Sequence, residues 1–258
     1  MNRLFTVLLA GVTALLLAFF LLLIAGLLVE LWHQTRIKAP EASEIFFAVK
    51  LSLITATTAS VLALVVSVPV AYVFSRNDFF MKNTLDTLLD LPIVLSPIAL
   101  GALLLVFFGT PMGKLMDGLL GPFVFEVKGI ILAQFCVVVG LSIRLLKSTF
   151  DGIDVEYENL ARTLGYNKFR VFSKVTLPMA GRGILSAFLL IWARAIGEFG
   201  ATITLAGAMT MKTETIPVAI YLNFESADIS SAMVFIAILV ASSLTILFFI
   251  RKVNVYAG

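Results

Sequence analysis

In the stretch Trp192–Gly207, "WARAIGEFGATITLAG", an arginine and a glutamate stand four residues apart in apolar surroundings. At that spacing Arg194 and Glu198 share one helix face and can neutralise each other. Left alone at the centre of a bilayer, each would cost about 2.5–3.5 kcal/mol. Thr202 extends the stripe by a turn, while Ala193, Gly197, Gly200 and Thr204 make the neighbouring face small enough for close helix approach. Two roles fit the pair: a lock fixing this helix to its neighbours, or a gate or pathway charge offered to an anion. A second polar spot lies in "DLPIVLSPIALG", where Pro92 and Pro97 remove backbone hydrogen bonds and Ser96 adds a hydroxyl. An ordinary kink is the simple outcome there. A broken helix would instead expose N–H groups that can meet an anion.

Other chemistries find little support. His33 is the sole histidine and Cys136 the sole cysteine, so no histidine cluster can bind a metal or relay protons, and no intrachain disulfide can form. His33 is expected in a solvated loop and Cys136 as an inert thiol in an apolar helix. No apolar stretch carries a Ser/His, paired-Asp or metal-ligand set, which argues against an intramembrane enzyme. No G-x-x-x-x-G-K-[ST] phosphate loop is present; the nearest string, "GTPMGK" at Gly109–Lys114, has the wrong spacing and no Ser or Thr after its lysine.

The remaining polar feature is long: Glu158–Pro178, "ENLARTLGYNKFRVFSKVTLP". Asp154 can cap a helix starting at Val155, with Glu156 and Glu158 near its positive end, and Gly165 can terminate it. Asn167 can cap a second short helix carrying Phe169, Val171, Phe172 and Val175, with Pro178 closing it as an early residue of the next helix. Leu160 and Leu164 share one face of the first helix, with Tyr157 a turn earlier. Such a knob can lie on anionic lipid or insert into a partner's groove, and physics alone does not choose.

These sites are embedded in grease. Of 258 residues, 60% are hydrophobic, only 14% are charged and 22 are Phe; mean hydropathy is +1.05. Soluble domains are nearer half apolar and a quarter charged. Long apolar runs outnumber alternating ones, so the expected class is all-α integral membrane, a single transmembrane domain over residues 1–258. Six runs can cross about 30 Å of hydrocarbon: Leu4–Leu31, Ile45–Phe74, Leu88–Phe108, Gly129–Leu146, Gly183–Gly207 and Ser231–Ile250. The first is too long for a signal-peptide core and reads as a retained helix. Pro69 reads as a kink in the second, and Lys50 as snorkelling near the outer interface.

Orientation follows from Lys and Arg. With both termini cytoplasmic, Arg3, Arg76, Lys82, Arg144, Lys147, Arg162, Lys168, Arg170, Lys174, Arg182, Arg251 and Lys252 fall inside. Arg36, Lys38, Lys114, Lys128 and Lys212 fall outside. The long amphipathic loop, residues 151–178, is therefore expected in the cytoplasm of a multi-pass cell-membrane protein. The net charge of +3 is small and scattered, and does not suggest nucleic acid.

The loop resembles the signature loop of permease subunits of binding-protein-dependent ABC importers: Glu-Ala-Ala, three residues, Gly, nine residues, an aliphatic, one residue, Leu-Pro. Gly165, Val175, Leu177 and Pro178 are in register and Ala161 matches the second alanine. Asn159 stands at the motif's glutamate, with Glu158 just before it, and Leu160 replaces the first alanine. "ARAIGEFGA", "DLPIVLSPIALG" and "TETIPVAIY" are similar to the permeases of molybdate/tungstate importers. Sulfate/thiosulfate permeases share much of the "GEFGA" string but are less similar at "TIPVAIY".

The resemblance implies a type I importer fold working as a homodimer, with two ABC ATPase subunits beneath and an external oxyanion-binding protein above. It makes Glu158, Asn159, Leu160, Ala161, Leu164, Gly165, Val175, Leu177 and Pro178 the loop that couples to the ATPase. Arg194, Glu198, Thr202, Pro92, Ser96 and Pro97 are its pathway or gate candidates. No cofactor is expected in this chain, ATP and Mg belonging to the partner. The alternatives are a sulfate/thiosulfate permease or, in another class, an ion-gradient-driven transporter. Against the latter, Glu198 is the clear intramembrane acid and has Arg194 at hand.

Overall fold

The computed structural model describes residues 2–33 and 40–255; Arg36 and Lys38 lie outside the described residues. The described chain is helical throughout its long apolar runs. Helix α1 (Asn2–His33) is mostly apolar; its stretch Phe5–His33 buries little within the chain and meets the rest mainly along the last helix. His33 ends this helix rather than sitting in a loop.

Helix α2 (Ala42–Arg76) runs through Pro69 without ending there. Its buried face is made of small residues, Ala48, Ser52, Ala56, Ala59, Ala63, Ser67 and Ala71, at spacings of three and four. That stripe lets a second backbone approach closely where lipid gives no hydrophobic drive for association.

The third apolar run does not form one helix. It becomes α3 (Lys82–Leu89), α4 (Leu91–Val94) and α5 (Pro97–Gly109), with a bend of 107° between Lys82–Val94 and Pro97–Gly109. The run expected to cross over Leu88–Phe108 is thus broken at its prolines rather than simply kinked. Pro92 and Pro97 each sit in the first turn of a new helix, where a missing N–H costs nothing. Ser96 caps α5, its hydroxyl oxygen accepting from the Ala99 N–H at 3.2 Å. Helix α6 (Pro111–Leu120) follows, then α7 (Val127–Asp151), which packs along the small stripe of α2. Asp86 and Asp90 bind Arg144 and Lys147, clasping the α3–α4 half of the broken run to α7.

Helix α8 (Val155–Thr163) and the short α9 (Lys168–Val171) form the polar loop. A π-turn over Phe172–Thr176 joins α9 directly to α10 (Leu177–Ile196), giving one helical rod over Lys168–Ile196. The second helix of the loop is therefore not a separate unit closed by Pro178. Pro178 lies in the first turn of α10 inside that rod.

The fifth run also divides. Helix α10 stops at Ile196, and α11 (Gly200–Ala206) restarts after Gly197–Phe199, so the run Gly183–Gly207 is shared by two helices. The small residues on this run serve α11, which lies against α5. A Cβ added at Gly101 would come within 2.8 Å of the Ala201 backbone, and one at Gly200 within 3.0 Å of Pro97 and Ile98. Helices α12 (Ile216–Glu225) and α13 (Ile229–Val255) complete the fold. The main core lies among α2, α5, α7, α10 and α11, gathering Ala56, Leu100, Val138, Ile191 and Leu205.

Candidate functional site: a helical knob and an intramembrane ion pair

The knob is built as local rules require. Asp154 accepts from the Glu156 N–H at 3.0 Å and Asn167 from the Arg170 N–H at 2.8 Å, so both caps form. Gly165 adopts φ +88°, with the Gly165 N–H donating to the Arg162 carbonyl and the Tyr166 N–H to the Ala161 carbonyl. That pair of bonds is the Schellman ending of a helix.

Helix α8 has two distinct faces. Tyr157, Leu160 and Leu164 are exposed, Leu160 by 61% and Leu164 by 79%, and Phe169 on α9 is exposed as well. Asn159 is also exposed, Val175 and Leu177 are half-buried and Pro178 is exposed. Ala161 and Glu158 are buried. Glu158 therefore does not stand on the docking face beside Leu160. Its Oε1 accepts from Arg76 Nε at 2.8 Å and from the Thr176 hydroxyl at 3.0 Å, and its Oε2 accepts from the Tyr72 hydroxyl at 3.0 Å. Burial pushes this carboxyl up, but the hydrogen bonds from Arg76, Thr176 and Tyr72 outweigh it and hold the group below the ordinary glutamate value. Arg76 lies 82 positions from Glu158, so no local pattern could have announced the contact.

In the apolar region, Arg194 NH1 meets Glu198 Oε2 at 2.7 Å. Glu198 is buried, and its Oε1 accepts from the Ala201 N–H at 2.9 Å, supplying the start of α11 with an acceptor. This bond accounts for the break after Ile196: one carboxylate satisfies both an arginine and a helix end. Arg194 remains 39% exposed at its side chain. It lines a cavity of about 150 Å³ together with Pro92 and Pro97, at the bend of the broken run. Ser96 caps α5 at that bend. Thr202 lies on α11, beyond the break, and so does not continue the helix that carries Arg194. It is buried, and its hydroxyl has no hydrogen-bond partner among the described residues. Gln134 was not singled out by sequence; it is buried on α7 and donates to the Ala195 carbonyl at 3.0 Å, tying α7 to α10.

A further acid was missed. Glu214, in the turn before α12, is buried, accepts from the Met211 N–H at 2.8 Å and lines a cavity of about 370 Å³ with Glu44 and Glu225. Burial and the facing Glu44 carboxyl raise Glu214 above its ordinary value, against the opposing Met211 bond. A raised carboxyl stabilises the fold below its ordinary value, and this contribution is lost as pH rises through the raised one. Glu214→Gln, which mimics the protonated form, is expected to raise the melting temperature more at pH 8 than at pH 5. A melt series of the detergent-purified protein across that range checks it.

Broken intramembrane helices beside a capped, exposed knob are the anatomy of a transport permease rather than of a membrane scaffold. The chain belongs to the family of binding-protein-dependent transport system inner membrane components, whose pattern matches residues 59–255. It is 37% identical over 177 residues to the molybdenum transport system permease protein ModB of Haemophilus influenzae, covering 67% of this chain and 77% of that one. A probable molybdenum ABC transporter permease protein of Haloferax volcanii is 36% identical over 229 residues, 88% of this chain and 81% of its own. A molybdate/tungstate transport system permease protein of Thermococcus kodakarensis is 36% identical over 159 residues, covering 62% of this chain and 60% of that relative. Among solved structures, the fold is similar to a bacterial alginate ABC transporter chain, with TM-score 0.73, 16% identity and 95% and 93% of the two chains covered. The MetNI methionine transporter gives TM-score 0.63 at 15% identity, covering 83% and 99%.

Proposed function

We propose that this chain is the transmembrane subunit of an ATP-driven importer that takes molybdate or tungstate from an external binding protein. The observation that carries the coupling role is the divided α8: apolar side chains stand exposed on one face while the other is pinned to the membrane helices. An exposed leucine pair on a rigid helix fits a groove in a partner. The partner is a pair of ABC ATPase subunits, which hold ATP and Mg and supply the energy that this chain has no phosphate loop to harvest. Two copies of the permease form the path at their dimer axis, with both termini and the knob in the cytoplasm. Closure of the ATPases then pulls the knobs together and rocks the spans between two facings.

The names of the relatives support an oxyanion of the molybdate class. Uptake of labelled molybdate into proteoliposomes holding the permease, its ATPase and its binding protein tests this. Uptake that tungstate competes away and sulfate leaves intact is expected; preferential competition by sulfate would transfer the assignment to the sulfate/thiosulfate class, and uptake driven by an ion gradient without ATP would remove it.

Gly165 gives a backbone test of the knob. A Cβ there meets open space, so room is not the constraint; φ of +88° is. Gly165→Val is expected to lower oxyanion imported per ATP hydrolysed several-fold more than Gly165→Asn, because Asn tolerates the left-handed region. Equal ratios for the two variants would remove the capping argument.

A further inference from the structure

We propose that Glu158 is the positioning residue through which the docking helix moves α2, α7 and α10 as one body. This deepens, and rests on, the coupling role proposed above. The carboxylate of Glu158 collects donors from two different elements: Tyr72 and Arg76 from the end of α2, and Thr176 from the π-turn that opens into α10. Arg76 extends the contact to a third, its NH2 donating to the Ile153 carbonyl at 2.8 Å, just beyond the end of α7. Glu158 and Arg76 are both almost fully buried, at 2% and 8% side-chain exposure. A buried ion pair with its remaining lone pairs filled is stiff, because any shift of one member leaves a charge without compensation.

The geometry gives this stiffness a direction. Leu160 and Leu164 face outward and Glu158 inward, so a load on the docking face reaches the membrane through this carboxylate. The π-turn contributes by phasing: an extra residue in the turn re-aims the helix. It sets Thr176 against Glu158 while the Phe172 ring lies on Tyr72 with centroids 4.7 Å apart. The helices so joined, α2, α7 and α10, are also packed on one another through Ala71, Leu146, Phe150 and Ala180. Displacing the knob therefore displaces that group together.

The test uses the assembled transporter in proteoliposomes and reads three things: ATPase retained on purification, melting temperature, and oxyanion imported per ATP hydrolysed. Glu158→Gln keeps the shape but leaves Arg76 uncompensated, and Arg76→Lys keeps the charge but cannot reach both Glu158 and the Ile153 carbonyl. Both are expected to retain the ATPase and to hydrolyse ATP, with import per ATP falling at least tenfold. Thr176→Val removes one donor and is expected to lower the ratio two- to threefold with only a small drop in melting temperature; Glu158→Asp is expected to recover part of the loss seen in Glu158→Gln. A merely structural role would lower melting temperature, hydrolysis and import together. An unchanged ratio in an assembled Glu158→Gln or Arg76→Lys transporter overturns the proposal, and should both fail to assemble, an unchanged ratio in Thr176→Val does so. Failure of the docking reading is distinct: it appears as ATPase retained when Leu160 and Leu164 are both replaced by Asp.

Discussion

Replacing Leu160 and Leu164 together by Asp is expected to release the ATPase from the permease while the permease still inserts and folds. Both side chains are mostly exposed at the end of α8, so the change removes little packing within the chain. The cost falls on the interface. Burying a leucine contributes about 1.5–3 kcal/mol, so the pair contributes about 3–6 kcal/mol. That range corresponds to a loss of affinity of about 10²- to 10⁴-fold, before the added penalty of desolvating two carboxylates. Co-purification with the tagged ATPase is the measurement, with substrate-stimulated ATP hydrolysis beside it. Retained complex and unchanged stimulated hydrolysis would return the knob to the lipid surface, where two acids would instead reduce binding of the permease loop to anionic vesicles.

The contrast between Leu160 and Glu158 shows where sequence reasoning stops. The pattern of α8 is local. Asp154, Gly165 and Asn167 act on backbone groups within three residues, and each does in the structure what its chemistry predicts. The long apolar runs were equally readable, and α2, α7 and α13 extend the expected spans by two to five residues at each end. Less legible was the number of helices within a run. Hydropathy registers Leu88–Phe108 and Gly183–Gly207 as continuous, because breaking a helix changes hydrogen bonding and not grease. The breaks are set by Pro92, Pro97 and Glu198, whose effects depend on what receives the freed backbone groups. Ser96 and the Glu198 carboxylate receive them here. Glu158 is adjacent to the motif position held by Asn159, and its neighbours in the chain do not say which way its carboxylate turns. Its true partner, Arg76, lies at the end of another helix, and contacts of that range are fixed only by the assembled bundle.

The clasp of α3–α4 to α7 was partly recoverable. Asp86 and Asp90 stand i,i+4, and Arg144 and Lys147 stand i,i+3, so opposite charges occur at helical spacing on two elements. Sequence gives each half of that clasp but not their adjacency.

The largest effect on the permease's own stability is expected at Arg194 and Glu198, where the structure sharpens the choice between lock and gate. Glu198→Gln keeps an oxygen for the Ala201 N–H, so it isolates the loss of charge from the loss of the helix cap. Losing a fully buried partner costs about 3–5 kcal/mol. Arg194, however, is more than one-third exposed, and screening there reduces the expected cost to about 1–2 kcal/mol. The single variant should therefore melt several degrees lower than the parent. The double variant Arg194→Gln with Glu198→Gln should recover part of that loss, since two amides can pair, and should retain uptake if the pair is a lock. If Arg194 instead offers its exposed edge to an oxyanion passing the bend at Pro92 and Pro97, the double variant should fold with parental stability and lose uptake by tenfold or more. We favour the lock, because Glu198 already neutralises Arg194 at 2.7 Å before any substrate arrives and simultaneously holds α11 in place. Melting of the purified complex and oxyanion uptake into proteoliposomes, for both singles and the double, separate the two. Parental stability without uptake in the double variant would overturn the lock.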